Sequence, residues 1–147
     1  MNKVETTEKN FADGCNCCQA VFLSYASDFG IDEKTALRLS SNFGGGFSKM
    51  REMYGAVSGM TMVAGLAKGY DDIKDPEAKS ASYDLGHKLI TEFKERNGAL
   101  SCKELLKMQE EYKKEGTVPG GEPFNEKRPC TYLVKCAAEI LEKEVFK

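Results

Sequence analysis

Apolar residues along this chain recur at helical spacing, and nowhere do they alternate at the period of two that a half-buried strand needs. Cys18, Val21, Phe22 and Tyr25 fall at i, i+3, i+4 and i+7, predicting a first helix over about residues 15–28, with Gly30 as its stop. Asp32 can cap a second helix reaching about Asn42, with Ala36, Leu37 and Leu39 as its apolar content. Gly44-Gly45-Gly46 breaks the chain, and a third helix, rich in methionine and small residues, is expected from about Met50 to Ala67. A polar connector leads to Pro76, a favoured helix opener, and to a fourth helix ending near Asn97. Leu85, Leu89 and Phe93 share one stripe of it, and Gly98 follows as a stop. Ser101-Cys102-Lys103-Glu104 has the capping-box pattern and opens a fifth helix. After a loop over 116–129, Pro129 suits the first position of a last helix carrying Cys130, Leu133, Val134, Ala137, Ile140 and Leu141. Residues 1–13 look like a frayed or short-helical lead-in. The pattern predicts an all-α fold: a single-domain bundle of about five or six helices spanning 1–147.

A chain of 147 residues is long enough to bury a core without disulfides. Its 41% apolar and 30% charged content are those of an ordinary globular protein. A net charge of -2 offers no pull toward nucleic acid or anionic membrane. The polar N-terminus has no signal-peptide core, and no apolar run is long enough for a membrane span. A cytoplasmic location is therefore expected, where thiols stay reduced. In that setting clustered cysteines serve metal binding or catalysis more often than disulfides, and this chain has six.

The cysteines share a structural setting. Cys15, Cys17 and Cys18 lie at the predicted start of the first helix, Cys102 follows the Ser101 cap, and Cys130 follows Pro129. Each is placed near a helix N-terminus, where unpaired N–H groups and the macrodipole favour an anion. The thiolate is both the nucleophile and the metal ligand. One helix end, worth up to ~2 kcal/mol, brings a cysteine pKa from ~8.5 to no lower than about 7. Several thiolates meeting at a point repel one another, and a metal, a cluster or a disulfide relieves that repulsion. The alternative is that the three helix starts point different ways. Cys136 reads as a core residue beside Ala137, and Cys15 and Cys18 have C-x-x-C spacing without the βαβ context that would give it weight.

Five blocks, in order, resemble a known family. They are Gly14-Cys15-Asn16-Cys17-Cys18-Gln19-Ala20-Val21, Phe43-Gly44-Gly45-Gly46, Gly55-Ala56-Val57-Ser58-Gly59, Cys102-Lys103-Glu104-Leu105-Leu106, and Cys130 with Ala137-Ala138 beyond it. Over about residues 10–142 the chain resembles the C-GCAxxG-C-C family of small bacterial and archaeal candidate redox-active proteins. A related domain is found in split-Soret cytochrome c. The resemblance implies a class and not a reaction. It matches the first, third and fourth signature cysteines to Cys17, Cys102 and Cys130. The second should open the Cys-Gly-Ala-x-x-Gly block, and here that position is Tyr54. Tyrosine, with a pKa of about 10, is a poor default ligand. The fourth thiolate would then come from Cys18, most economically, or from Cys15 or Cys136, unless the site is altered.

Together these observations predict electron transfer or redox sensing through cysteines, of oxidoreductase type if catalytic. An iron–sulfur cluster held by Cys17, Cys18, Cys102 and Cys130, with Cys15 as alternative fourth ligand, is the favoured expectation, because an all-thiolate site without histidine suits iron–sulfur or zinc. The rivals are a structural zinc site, a metal-free protein with Cys17, Cys102 and Cys130 as redox thiols, and a scaffold without chemistry. Gly55 and Gly59 share a helix face and mark either close helix packing or close backbone approach to a cofactor. Gly44–Gly46 reads as a loop rather than a phosphate cradle, and His87 as an exposed or capping residue. The expected partner is an unknown redox protein, and related domains suggest a homodimer.

Overall fold

The computed structural model describes residues 1–147 as an all-helical protein. It has seven helices: α1 (Lys3–Ala12), α2 (Cys17–Ala26), α3 (Glu33–Ser40), α4 (Gly55–Lys68), α5 (Pro76–Asn97), α6 (Cys102–Glu115) and α7 (Thr131–Glu144). No strand forms, and the extended backbone makes only isolated bridges, Met53 with Ser101 and Thr117 with Pro123. No helix is long and apolar enough to cross a membrane.

The count exceeds the expected five or six because residues 1–13, read as a frayed or short-helical lead-in, contain a capped helix of ten residues. Asn2 caps α1 by accepting from the Glu5 N–H at 2.8 Å. Thr7 and Phe11, four apart, are its two buried residues. The Thr7 hydroxyl shares a proton with Ser24 of α2 at 2.7 Å, so a polar side chain serves as a core contact. That is why a hydropathy pattern does not register this helix.

The centre of the bundle is α2. Cys18, Ala20, Val21, Phe22, Ser24, Tyr25 and Ala26 are all buried, around most of the helix. A helix apolar all round must be enclosed, and α1, α3, α4 and α7 enclose it. Burial of a residue such as Phe22 or Leu133 contributes roughly 1.5–3 kcal/mol. The closest packing is between α2 and α4. A methyl group added at Gly59 would lie 2.9 Å from the Cys18 carbonyl oxygen and 3.2 Å from Val21 Cβ; one at Gly55 would lie 3.1 Å from the Cys18 nitrogen. The close approach at these glycines is to helix α2.

The third predicted helix begins later than its composition suggested. Residues 50–54 run outside any helix, because the Tyr54 N–H donates to the Leu100 carbonyl at 2.9 Å and the Cys102 N–H to the Glu52 carbonyl at 2.6 Å. The segment is an arm laid across the start of α6. Helix α7 likewise starts after Cys130 rather than at Pro129. A tight turn in which Thr131 donates to the Arg128 carbonyl, from its N–H at 3.0 Å and its hydroxyl at 2.7 Å, sets that boundary.

Two glycines of α4 test this packing with opposite signs. Gly59→Ala must push α2 from α4 and should destabilise the fold by about 1–3 kcal/mol. Gly65→Ala meets nothing within 4 Å and should stabilise it by about 0.5–1 kcal/mol. Urea unfolding of both variants measures this.

Candidate functional site

Three helix starts meet at one place. At α2 the Asn16 side chain accepts from the Gln19 N–H at 2.9 Å, and the Gln19 side chain accepts from the Asn16 N–H at 3.0 Å. Asn16 Nδ2 also donates to the Ser41 carbonyl and Gln19 Nε2 to the Leu37 carbonyl, both at 3.0 Å, fixing this start against α3 and the turn after it. Cys17 is thereby the first residue of α2. At α6 the Ser101 hydroxyl accepts from the Glu104 N–H at 3.0 Å and presents Cys102 as the first helical residue. At α7 Cys130 is itself the cap residue, with no side-chain bond to the helix. Gln109 of α6 donates to the Tyr132 hydroxyl at 3.0 Å and holds α6 to α7.

Cys17, Cys102 and Cys130 line one cavity of about 270 Å³, together with Tyr54, Arg51 and Arg128. Tyr54 is buried and its hydroxyl lies 2.9 Å from Cys17 Sγ. It reaches that position because it caps α4 and Gly55 follows it, with room for a hydrogen only between α4 and the first turn of α2. Arg51 Nη1 lies 3.7 Å from Cys102 Sγ. Arg128 stacks over the Phe11 ring with its guanidinium carbon 3.8 Å from the ring centre, and its Nη2 donates to the Cys15 carbonyl at 2.9 Å.

The backbone that delivers Arg51 is strained. Gly45, Gly46, Phe47, Ser48, Lys49 and Arg51 all have positive φ, between 51 and 69°. Four of these are not glycine, and each left-handed L-residue costs about 1–2 kcal/mol. Hydrogen bonds hold the turn: the Arg51 N–H donates to the Gly45 carbonyl at 3.1 Å and the Glu52 N–H to the Gly46 carbonyl at 3.0 Å. Gly46 is required twice over, since a Cβ there would also lie 2.7 Å from Cys102 Cβ. Backbone strain of this kind persists where the surroundings over-determine it, commonly at functional sites.

The thiols differ sharply in acidity. Cys130 is lowered to about 7: the Cys17 thiol acts as a donor to its anion, Tyr54 adds a second donor, and the Arg128 and Arg51 charges add to both, against the opposing effect of burial. Cys17 moves the other way, well above the ordinary thiol range, because it gives its proton toward Cys130 and is itself buried. Tyr54 is raised well above an ordinary phenol by burial first, and then by the neighbouring Cys17 and Cys130 sulfurs. Near neutral pH Cys130 is thus the thiol of the pair that ionises, with Cys17 and Tyr54 as the donors facing it.

The other cysteines stand apart. Cys18 points into the α2–α4 interface, its sulfur 3.8 Å from Met62 Sδ, and burial pushes it up to about 12. It faces away from the cavity because the residue after Cys17 projects about 100° further round the helix. Cys15 precedes the cap and does not line the cavity; burial and Asp13 raise its thiol. Cys136 is buried and accepts from Asn97 Nδ2 at 3.3 Å, beside a hollow lined by Arg96, Lys135 and Glu139. No group of three His, Cys, Asp or Glu side chains is arranged to hold a metal ion. With Tyr54 where a fourth ligand would stand, the cavity offers three thiols, one short of a closed four-thiolate zinc or iron–sulfur donor set. Sequence reasoning missed Arg51 and Arg128. Arg128 stands two residues before Cys130, a signal that was available, whereas Arg51 fell inside a segment expected to be helical.

Fold and site define the class: an all-helical domain in which cysteines drawn from distant parts of the chain line one cavity. The chain belongs to the family described as "Putative redox-active protein (C_GCAxxG_C_C)", which it matches over residues 15–144. No curated protein and no solved structure matches it.

Thiolate is the reactive form, so alkylation of Cys130 should be slow below its pKa and rise to a plateau above it, with a midpoint near pH 7. Cys18 and Cys136 should stay unmodified in the folded protein. Tyr54→Phe removes a donor worth about 1.5 kcal/mol to a charged group and should move the Cys130 midpoint up by about one pH unit. Iodoacetamide labelling read by peptide mass spectrometry checks both.

Proposed function

We propose that this protein carries out thiol–disulfide redox chemistry with Cys130 as the attacking thiolate and Cys17 as the resolving thiol. The observation that carries this is that Cys17 and Cys130 line one cavity with divided acidity, Cys130 lowered to about 7 and Cys17 raised well above the ordinary thiol range. That division is what a two-step exchange uses. Cys130 sulfur attacks a disulfide of the partner, forms a mixed disulfide and expels one partner thiolate. Cys17 then gives its proton to the expelled partner thiolate, attacks Cys130 sulfur and expels the second thiolate, which takes a proton from water. Two protein thiols become one disulfide, and one partner disulfide becomes two thiols. Tyr54, 2.9 Å from Cys17 Sγ, stabilises the charge that passes through Cys17 in the second step. Cys102, beside Arg51, is the third redox thiol of the cavity.

A second reading is an iron–sulfur cluster or a zinc ion. What favours it is that Cys17, Cys102 and Cys130 line one cavity; against it stands the tyrosine where a fourth thiolate is needed. The dithiol reading expects protein purified without oxygen to be colourless and free of stoichiometric iron and zinc. It also expects mild oxidation to form a Cys17–Cys130 disulfide that dithiothreitol reverses. Either Cys17→Ser or Cys130→Ser should abolish that disulfide. One equivalent of iron with sulfide, or of zinc, bound by these cysteines would overturn it. Tyr54→Cys supplies the missing thiol, and that variant should retain iron or zinc through purification where the parent does not, as elemental analysis would show.

A further inference from the structure

The cavity at the thiols has a charge that its chemistry alone does not require. Arg51, Lys127 and Arg128 line it, and no aspartate or glutamate does. The chain as a whole has 23 acidic against 21 basic residues, so this one-sided lining is a local property and not a reflection of net charge. The starts of α2, α6 and α7 surround the same space and turn their positive ends toward it. One thiolate, on Cys130, does not balance two arginines, a lysine and three helix ends. Arg128 is also held ready: it is fixed over Phe11 and by the Cys15 carbonyl, and it lines the same cavity as Cys130. A guanidinium beside a nucleophile is suited to a carboxylate or similar oxyanion. At about 270 Å³ the space is at the small end of ligand sites, and it takes a low-molecular-weight compound rather than a folded chain.

We infer that the disulfide this site reduces is a small anionic one, carrying a carboxylate or comparable oxyanion near its sulfurs that seats between Arg51 and Arg128. This rests on the dithiol reading above and adds its substrate class. The exchange is unchanged in its balance: the bound disulfide accepts two electrons and leaves as two anionic thiols, and Cys17 and Cys130 become a disulfide.

Three disulfides on the same two-carbon skeleton separate charge from reactivity: 3,3′-dithiodipropionate (anionic), 2-hydroxyethyl disulfide (neutral) and cystamine (cationic). The reduced full-length protein is mixed with each at fixed pH and low salt, quenched with acid and assayed by mass spectrometry for the Cys17–Cys130 disulfide. Rates are normalised to those of 2-mercaptoethanol with the same compounds. The anionic compound should react fastest, with about tenfold or more between anionic and cationic, and the spread should shrink as sodium chloride screens the charges. In Arg128→Gln every rate falls, because Cys130 loses a cation, but the anionic-to-neutral ratio falls as well. Lys127→Gln, at an exposed position where folding is not at stake, should lower the ratio by less. If the pair oxidises but the normalised rates do not follow charge, the anionic-substrate inference is overturned and the dithiol reading stands. If none of the three compounds produces the Cys17–Cys130 disulfide, both fall.

Discussion

Helix α2 lies against α4 with no room for a methyl group at Gly55 or Gly59, and the site depends on that contact. Because Tyr54 immediately precedes Gly55, the packing that seats α4 on α2 also brings the Tyr54 hydroxyl to Cys17. Because α2 begins at Cys17, the same contact places its positive end at the cavity. A buried helix–helix interface and a hydrogen bond between a phenol and a thiol are thus one geometrical fact. The glycines carry the helix-propensity penalty of about 1 kcal/mol each that such closeness requires.

Acidity in this site is decided by partition more than by the helix ends. A single N-terminus could bring a thiol no lower than about 7. Cys130 reaches that value although burial opposes it, and the donors that offset burial are first the Cys17 thiol, then Tyr54 and the two arginines. The cost appears on the other side of the pair, where Cys17 is held protonated. Two thiolates in a buried space would repel, so ionisation of Cys130 is favoured at the expense of Cys17, and two donors face it. A tyrosine is suited to this role. It donates a hydrogen bond without adding a second negative charge, because its own ionisation is suppressed by burial and by the neighbouring sulfurs. A cysteine in its place would compete for the charge or demand a metal.

The arm from Gly45 to Tyr54 ties fold to chemistry. Its left-handed turn is unfavourable in isolation, and it is held by pairing with residues 100–103 and by the fit of Gly46 against Cys102. It fixes the start of α6, carries Arg51 to Cys102, and ends at Tyr54. Strain, cap and charge are therefore placed by ten consecutive residues.

Much of this was legible along the chain. The helical period, the Asp32, Pro76 and Ser101 starts and the Gly98 stop are local signals, and local steric and hydrogen-bonding rules are sufficient to place α3, α5 and α6 within a few residues. The setting of Cys17, Cys102 and Cys130 at helix starts was legible for the same reason: a cap is a property of four or five neighbouring residues. What lay outside local signals needed partners distant in sequence. Helix α1 is specified by a Thr7–Ser24 contact rather than by hydrophobicity, and the 50–54 arm is extended because residues 100–102 pair with it. Which cysteines meet depends on the angle at which each leaves its helix, so Cys17 enters the cavity while its neighbour Cys18 is turned to Met62. Sequence determined where thiols could become anions; only the packing of α2, α4, α6 and α7 decided which thiols share a cavity, since proximity across the fold is set by side-chain volumes at the interfaces.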